Sequence, residues 1–239
     1  MKPNISILSP TRNRPVFVSQ MMKSCISTAS YPDKIEFVFY LDSDDLKSED
    51  SIRSTAYKLN IENNIVIVRG ERIVLSQMWN VCWQNSNADI FMHGSDDIRF
   101  RTKGWDEIVL NEFEQYPDKI ILLHGEDGYA PKGFGTHSFV HKNWTNTVGT
   151  FVPEYFSSDY NDTWLNDVAD IIGRNKRIEI YTEHLHPVVG KYFWDQNHKD
   201  RKARGERDNV KEIYESKSEE RKIFAKKLKK FIDDYGENK

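Results

Sequence analysis

Two adjacent carboxylates, Asp96 and Asp97, follow directly on the apolar run Ile90, Phe91, Met92, His93 in "ADIFMHGSDDIRF". At a near-surface effective dielectric, two carboxylates about 5 Å apart repel by roughly 3 kcal/mol. Such a pair calls for a well-hydrated turn, a basic partner or a divalent cation. Gly94, just ahead of the acids, permits an unusual backbone angle there. Two further polar clusters follow apolar runs. One is "SPTRNRP", with Ser9, Pro10, Thr11, Arg12, Asn13 and Arg14; the other is "DSDD", with Asp42, Ser43, Asp44 and Asp45. Guanidinium groups, hydroxyls and carboxylates in this mixture suit a phosphate-bearing ligand held partly through a hard cation. A plainer account of "DSDD" is an acidic turn capping a helix. Near the end, "EHLHP" sets His184 and His186 two residues apart, on one face of a strand, as a candidate ligand pair.

The elements that must position these groups alternate. The strand-like runs "ISIL" (5–8), "IEFVFYL" (35–41), "NIVIV" (64–68), "ADIFMHG" and "KIILLHG" are separated by helical stretches. Among those stretches are "KSEDSIRSTAYKL", with Ser48 or Ser51 as N-cap, and "VLSQMWNVCWQNS", with Val74, Met78, Val81 and Cys82 at helical intervals. This order predicts a mainly parallel sheet with helices on both faces. The three polar clusters then fall at the carboxyl ends of the first, second and fourth strands, where open α/β sheets bind ligands. From about Gly125 the glycine- and aromatic-rich "GEDGYAPKGFGTHSFVHKNW" predicts a long functional loop or hairpin. "DTWLNDVADIIG" predicts a helix with Trp164, Leu165, Val168, Ile171 and Ile172 on its apolar face and Gly173 as C-cap. "RIEIYTEHLHP" reads as a last strand. Residues 197–239, dense in both charges, predict a solvated helical extension packed by Ile223, Phe224, Leu228 and Phe231, beyond a domain of residues 1–196.

Composition narrows the partners. The 239 residues carry 38% hydrophobic and 30% charged side chains and a formal net charge of -3. That balance gives no case for nucleic-acid binding or a polybasic membrane patch. No apolar run reaches the roughly 18 residues that span a bilayer, and "MKPNISILSPTRNRP" does not read as a signal peptide. The expected compartment is cytoplasmic. Cys25 and Cys82 fall in helical stretches as reduced, buried hydrophobes, and the sequons at Asn4, Asn143 and Asn161 carry little meaning without a secretory signal.

The order and spacing of these motifs resemble family-2-type glycosyltransferases of the GT-A fold, from about Ile5 to Lys191. "ISILSPTRNRP" is similar to that family's opening strand and nucleotide loop, and "EFVFYLDSDD" to its second strand, whose terminal acid contacts the nucleotide's base or ribose. "GERIVLSQMWNVCWQNSNADIFMHGSDDI" resembles the Asn-containing helix and the metal-binding Asp-x-Asp strand end that follows it. The literal Asp42-Ser43-Asp44 is not at that place; Ser95-Asp96-Asp97 is, with serine where the family has its first acid. The resemblance implies Asp97 as the chief metal ligand, Asp96 toward the ribose or behind the metal, and either His184 or His186 completing the shell of Mn²⁺ or Mg²⁺. It implies a nucleotide pocket of Pro10, Thr11, Arg12, Arg14, Asp42 and Asp44, with Ser76 and Asn80 nearby.

An inverting transfer also needs a carboxylate to accept the acceptor's proton, worth typically 10²–10⁴-fold. In the family it opens a late helix, and counting back from Gly173 puts Asn161-Asp162 there; Asp162 is the candidate base and Asp159 the reserve. As residues alone, Asp162 has a plainer reading as a helix N-cap. Lys191 could reach a phosphate, although a surface lysine is the simpler reading. The aromatic segment from Tyr129 to Trp144 is the expected acceptor wall, and Trp79 and Trp83 are expected in the core. The implied activity is transfer of a sugar from a nucleotide-sugar, a UDP-sugar first, to a glycan or other hydroxyl. The rivals are a nucleotidyltransferase, which would normally carry a glycine-rich phosphate loop that "SPTRNRP" lacks, and a non-catalytic nucleotide- or sugar-binding module.

Overall fold

The computed structural model describes residues 2–237. Strand β1 (Ile5–Thr11) leads into helix α1 (Pro15–Thr28), β2 (Ile35–Asp42) into α2 (Leu46–Leu59), and β3 (Ile65–Gly70) into α3 (Leu75–Gln84). β4 (Ile90–His93) passes through a short β5 (Ile98–Phe100) to α4 (Trp105–Glu114). Then come β6 (Leu122–Glu126), β7 (Ser138–His141), α5 (Lys142–Val148), α6 (Asn161–Ile171) and β8 (Asn175–His184). Helices α7 (Gln196–Arg207), α8 (Val210–Ser216) and α9 (Ser218–Glu237) follow.

One mixed sheet runs β3-β2-β1-β4-β7-β6-β8-β5. β3, β2, β1 and β4 are parallel to one another, as are β6 and β8; β7 lies antiparallel to both β4 and β6, and β5 antiparallel to β8. The alternation of side chains divides the core. Ile5, Ile7, Phe37, Phe39, Ile90 and Met92 face the layer of α1, α2 and α4. Leu8, Val38, Tyr40 and Phe91 face the layer of α3, α5, α6 and α9. A sheet covered on both faces explains the continuous apolar runs of the strands. The expected α/β architecture is present, and the glycine-rich segment after Gly125 is the β6–β7 hairpin.

Several local expectations are corrected. Asp45, not Ser48 or Ser51, caps α2, accepting from Ser48 N at 3.1 Å. The Ser48 hydroxyl accepts from Arg14 N instead, and that of Ser51 donates to the Pro15 carbonyl. Gly94 is not needed for an unusual backbone angle; a Cβ there would lie 2.7 Å from the Leu8 carbonyl and 2.9 Å from Ile7 Cγ2, so close approach to β1 dictates glycine. On α6, Ile171 turns to solvent and Ala169 takes its place in the core.

The charged tail is no appendage to the packing. α9 lies on α5 and α6, with Ala225 and Leu228 inside the second core cluster, while Ile223 points outward. α7 instead crosses the carboxyl edge of the sheet through polar contacts: Asn197 Nδ2 donates to the Arg12 carbonyl at 2.5 Å, and Arg201 pairs with Asp159 at 3.2 Å. Among the described residues, no helix is long and apolar enough to cross a membrane.

Leu228 tests this arrangement. Leu228→Ala is expected to lower the unfolding free energy by about 2–5 kcal/mol, as for a filled core site. Urea titration measures it, and a change below about 0.5 kcal/mol, the surface range, would show α9 to be an independent tail.

Candidate functional site

A cleft opens where β1, β2 and β4 end, lined by Pro10, Thr11, Asp42 and His93 from those strands and by Gly94 just after β4. Asp96 and Asp97, 4% and 5% exposed, form its floor. Arg14 answers the question of their repulsion: Nη1 donates to Asp96 Oδ1 at 2.9 Å and to Asp97 Oδ2 at 3.0 Å. The same guanidinium reaches Asp195, the N-cap of α7, at 2.9 Å. Burial opposes its charge, but the three carboxylates outweigh that and raise its pKa above the ordinary value. The two acids diverge. Burial and the neighbouring charge of Asp97 hold Asp96 above the usual range, and Thr11 Oγ1 donates to it at 2.5 Å. Asp97 is also buried, yet His184, Arg14 and Ser95 keep it ionised, well below that range.

On the β2 side, Arg12 forms a bidentate pair with Asp44 at 2.6 and 2.9 Å and also holds Asp42 at 2.6 Å. Asp42 lines the cleft; Asp44 stands exposed outside it and anchors Arg12. Ser76 and Asn80 lie behind the wall. Ser76 exchanges hydrogen bonds with Phe156, and the Asn80 amide binds Val152, Thr150 and Phe151, so both brace the segment that leads to α6.

The opposite wall carries histidines. His184 sits with Nε2 3.5 Å from Asp97 Oδ1 and Nδ1 3.8 Å from Asp127 Oδ2. Burial disfavours its charge, but the two flanking carboxylates raise its pKa to about 9. His186 also lines the cleft; burial and the nearby His184 lower it to about 4. Of the predicted set Asp97, His184 and His186, the structure sets His184 beside Asp97 and brings all three to the cleft. Among the described residues, Asp127, His137 and His184 are the three whose ligand atoms lie within 4.8 Å of one another. Sequence reading missed Asp127 and His137; each stands alone in the glycine-rich hairpin, and only β-pairing brings them to β8.

The third wall is α6 and α7. Asp162, in the first turn of α6, is half-buried at the cleft. Burial, with the charge of Asp159 adding to it, raises its pKa to about 6 against the hydrogen bond donated by Thr163 N at 2.8 Å. Tyr160, just before the helix, holds a left-handed φ of 73°, costly for a bulky residue, and stacks on Tyr214 at 4.7 Å. Asp159 is exposed and paired with Arg201. Arg201 and Arg204 of α7 line the cleft, each with a buried Nε that has no partner, and Arg72 lines it from the loop after β3. These arginines were also missed, because a charged helix reads from sequence as a solvated face.

Of the expected acceptor wall, Trp144 and Phe139 are core, and Tyr129 is the exposed aromatic, set against the His184 and His186 rings. Trp79, expected in the core, is buried but also lines the cleft, 3.9 Å from the His93 ring. Lys191 is engaged by the Tyr181 hydroxyl at 2.9 Å and Glu183 at 3.2 Å.

Neither a protein-family model nor the sequence of a curated protein matches this chain. Solved structures do. A mannosyltransferase, PcManGT from Pyrobaculum calidifontis in complex with GDP-Man and Mn²⁺, superposes with a TM-score of 0.58 at 13% identity, over 76% of this chain and 57% of that one. TarS of S. aureus gives 0.60 at 12%, over 78% and 37%. Its 1–349 segment in complex with UDP gives 0.57 at 11%, over 74% and 60%. This chain thus spans less than two thirds of each, and the likeness establishes a shared α/β fold.

Arg14 carries the electrostatics of the floor. Arg14→Met is expected to cost about 3–5 kcal/mol, because it strands buried carboxylates. Adding Asp96→Asn is expected to restore part of that loss. Denaturant unfolding of the single and double variants measures both, and full additivity of the two changes would contradict the pairing.

Proposed function

We propose that this chain is a glycosyltransferase that moves a sugar from a nucleotide-sugar, a UDP-sugar first, to an acceptor hydroxyl with inversion. One observation carries the reading: Asp162, a carboxylate with its pKa raised to about 6, shares one cleft with the acids Asp42, Asp96 and Asp97. The shared fold adds support, since proteins of that fold have been solved with GDP-Man and Mn²⁺ and with UDP.

In this reading Asp42 faces the nucleoside, and the diphosphate lies toward Asp97 and the α7 arginines. The acceptor oxygen attacks the anomeric carbon as the bond from that carbon to the diphosphate oxygen breaks. Asp162 takes the acceptor's proton, and the nucleotide diphosphate leaves with the bonding pair. A pKa near 6 leaves Asp162 mostly ionised at neutral pH while keeping it more basic than an ordinary carboxylate. Asp159, exposed and tied to Arg201, is the poorer candidate. A divalent cation, Mn²⁺ or Mg²⁺, would be held by Asp97 and would supply countercharge to the leaving diphosphate; His186, whose Nδ1 accepts from Val188 N, keeps its ring proton on Nε2 and lines the cleft as a donor. Arg201 and Arg204 contribute further countercharge through their unpaired groups.

Asp162→Asn is expected to reduce turnover by about 10²–10⁴-fold while donor binding, followed by calorimetry, stays unchanged. In the wild type, turnover should rise with pH through about 6 as Asp162 loses its proton, and level off above. Donor binding without turnover by the wild type, over a panel of donors and acceptors, would overturn the reading in favour of a binding module. Arg204→Ala is expected to raise the donor KM by about tenfold or more, the cost of one charged hydrogen bond. An unchanged KM would remove α7 from the diphosphate site.

A further inference from the structure

Between the β6–β7 hairpin and the end of β8, Asp127, His137 and His184 bring one ligand atom each to within 4.8 Å of the others, and Asp127 Oδ2, His137 Nε2 and His184 Nδ1 are the atoms left over there. The three residues are 6%, 6% and 7% exposed, and none of these atoms has a hydrogen-bond partner. The other polar atom of each is already oriented. Asp127 Oδ1 accepts from Tyr129 N and Ala130 N, both at 2.8 Å. His137 Nδ1 faces the His93 carbonyl at 3.4 Å. A carbonyl only accepts, so the ring proton of His137 sits on Nδ1 and a lone pair is left on Nε2. His184 Nε2 faces the Asp97 carboxylate at 3.5 Å, which holds a proton there and leaves Nδ1 as the nitrogen free to ligate when the ring is neutral. One ligand atom from each residue lies within 4.8 Å of the others, and Asp127 Oδ2 and His137 Nε2 are buried acceptors that forfeit their hydration there. Without an ion, the second proton of His184 lies on a nitrogen 3.8 Å from Asp127 Oδ2, beyond hydrogen-bond distance, and leaves His137 Nε2 unpaired; a bound cation takes the place of that proton and reaches all three residues.

We propose that Asp127, His137 and His184 bind one first-row transition-metal ion, Zn²⁺ first, at a site separate from the cation position beside Asp97. Two imidazoles and one carboxylate are a borderline donor set that suits Zn²⁺; Mg²⁺ prefers oxygen throughout. The ion ties the hairpin to β8 and commits His184 to present its Nε2–H to Asp97, the carboxylate–histidine–metal arrangement that orients a ligand ring. It does not depend on the sugar-transfer reading, since no nucleotide takes part.

The test titrates the full chain, stripped with chelator and dialysed, with Zn²⁺ alone. One equivalent is expected to bind, and X-ray absorption should show an oxygen- and nitrogen-only shell containing two imidazoles at about 2.0–2.1 Å. His137→Gln should weaken binding by more than the ~10–100-fold that loss of an orienting partner costs, and His137→Cys should restore it, because a thiolate is also a ligand. Circular dichroism confirms that each variant is folded. Asp162→Asn should bind Zn²⁺ like the wild type even though its transfer activity is lost. Zn²⁺ binding without sugar transfer by the wild type would keep this site and overturn the activity. Less than one equivalent bound by the wild type at about 10 µM free metal, a sulfur-containing or imidazole-free shell in the wild type, or a folded His137→Gln with unchanged affinity would overturn the site.

Discussion

Two carboxylates buried side by side at the end of β4 constrain most of what surrounds them. Neither is able to keep a charge there without a cation in contact, and Arg14 is built in as that cation. To reach both acids, Arg14 must leave β1 in a fixed direction, and the turn that achieves this is pinned on several sides. Asn13 takes a left-handed φ of 52°, and its N–H donates to Asp45. The Arg14 N–H donates to Ser48, at the start of α2. The far side of the guanidinium then draws in Asp195 and with it the first turn of α7. One ion-pair network thus connects the first strand, the fourth strand and the helix that roofs the cleft.

The same network sorts the titratable groups by role. Asp97 is kept ionised from both sides, by Arg14 and by His184. Asp96, next to it, is pushed toward its neutral form and takes a hydroxyl donor from Thr11. Asp162, across the cleft and away from Arg14, is lifted by burial and by Asp159 instead. Carboxylates of one chemical type are thereby set apart in basicity by their surroundings, as active sites require.

The order of strands and helices was legible because buried parallel strands leave continuous apolar runs, and because polar residues cluster where those strands end. For the same reason Pro10, Thr11, Arg12, Arg14, Asp42, Asp96 and Asp97 were found together, as the structure brings them. Ser76 and Asn80 read as pocket residues because small polar side chains on a helix look alike whether they face a ligand or brace a loop; here they brace residues 150–156. Asp127 and His137 gave no signal, since their meeting depends on how the hairpin pairs with β4 and β8, a long-range property. Arg201 and Arg204 were hidden by the opposite effect. A helix rich in both charges has the composition of a solvated surface, and nothing local shows that one side of it covers a cleft.

α7 and α9 are held to the same body by different forces. α9 is seated by apolar burial around Leu228, which salt leaves largely intact. α7 is fastened through Asp195, Asn197, Asp200 and Arg201 to charged or polar partners, several of them solvent-facing. Ionic strength weakens such contacts selectively, within a screening length of about 8 Å at physiological salt. The cover of the cleft and the body beneath it therefore answer to different solution variables, so that the one can loosen in concentrated electrolyte while the other stays folded.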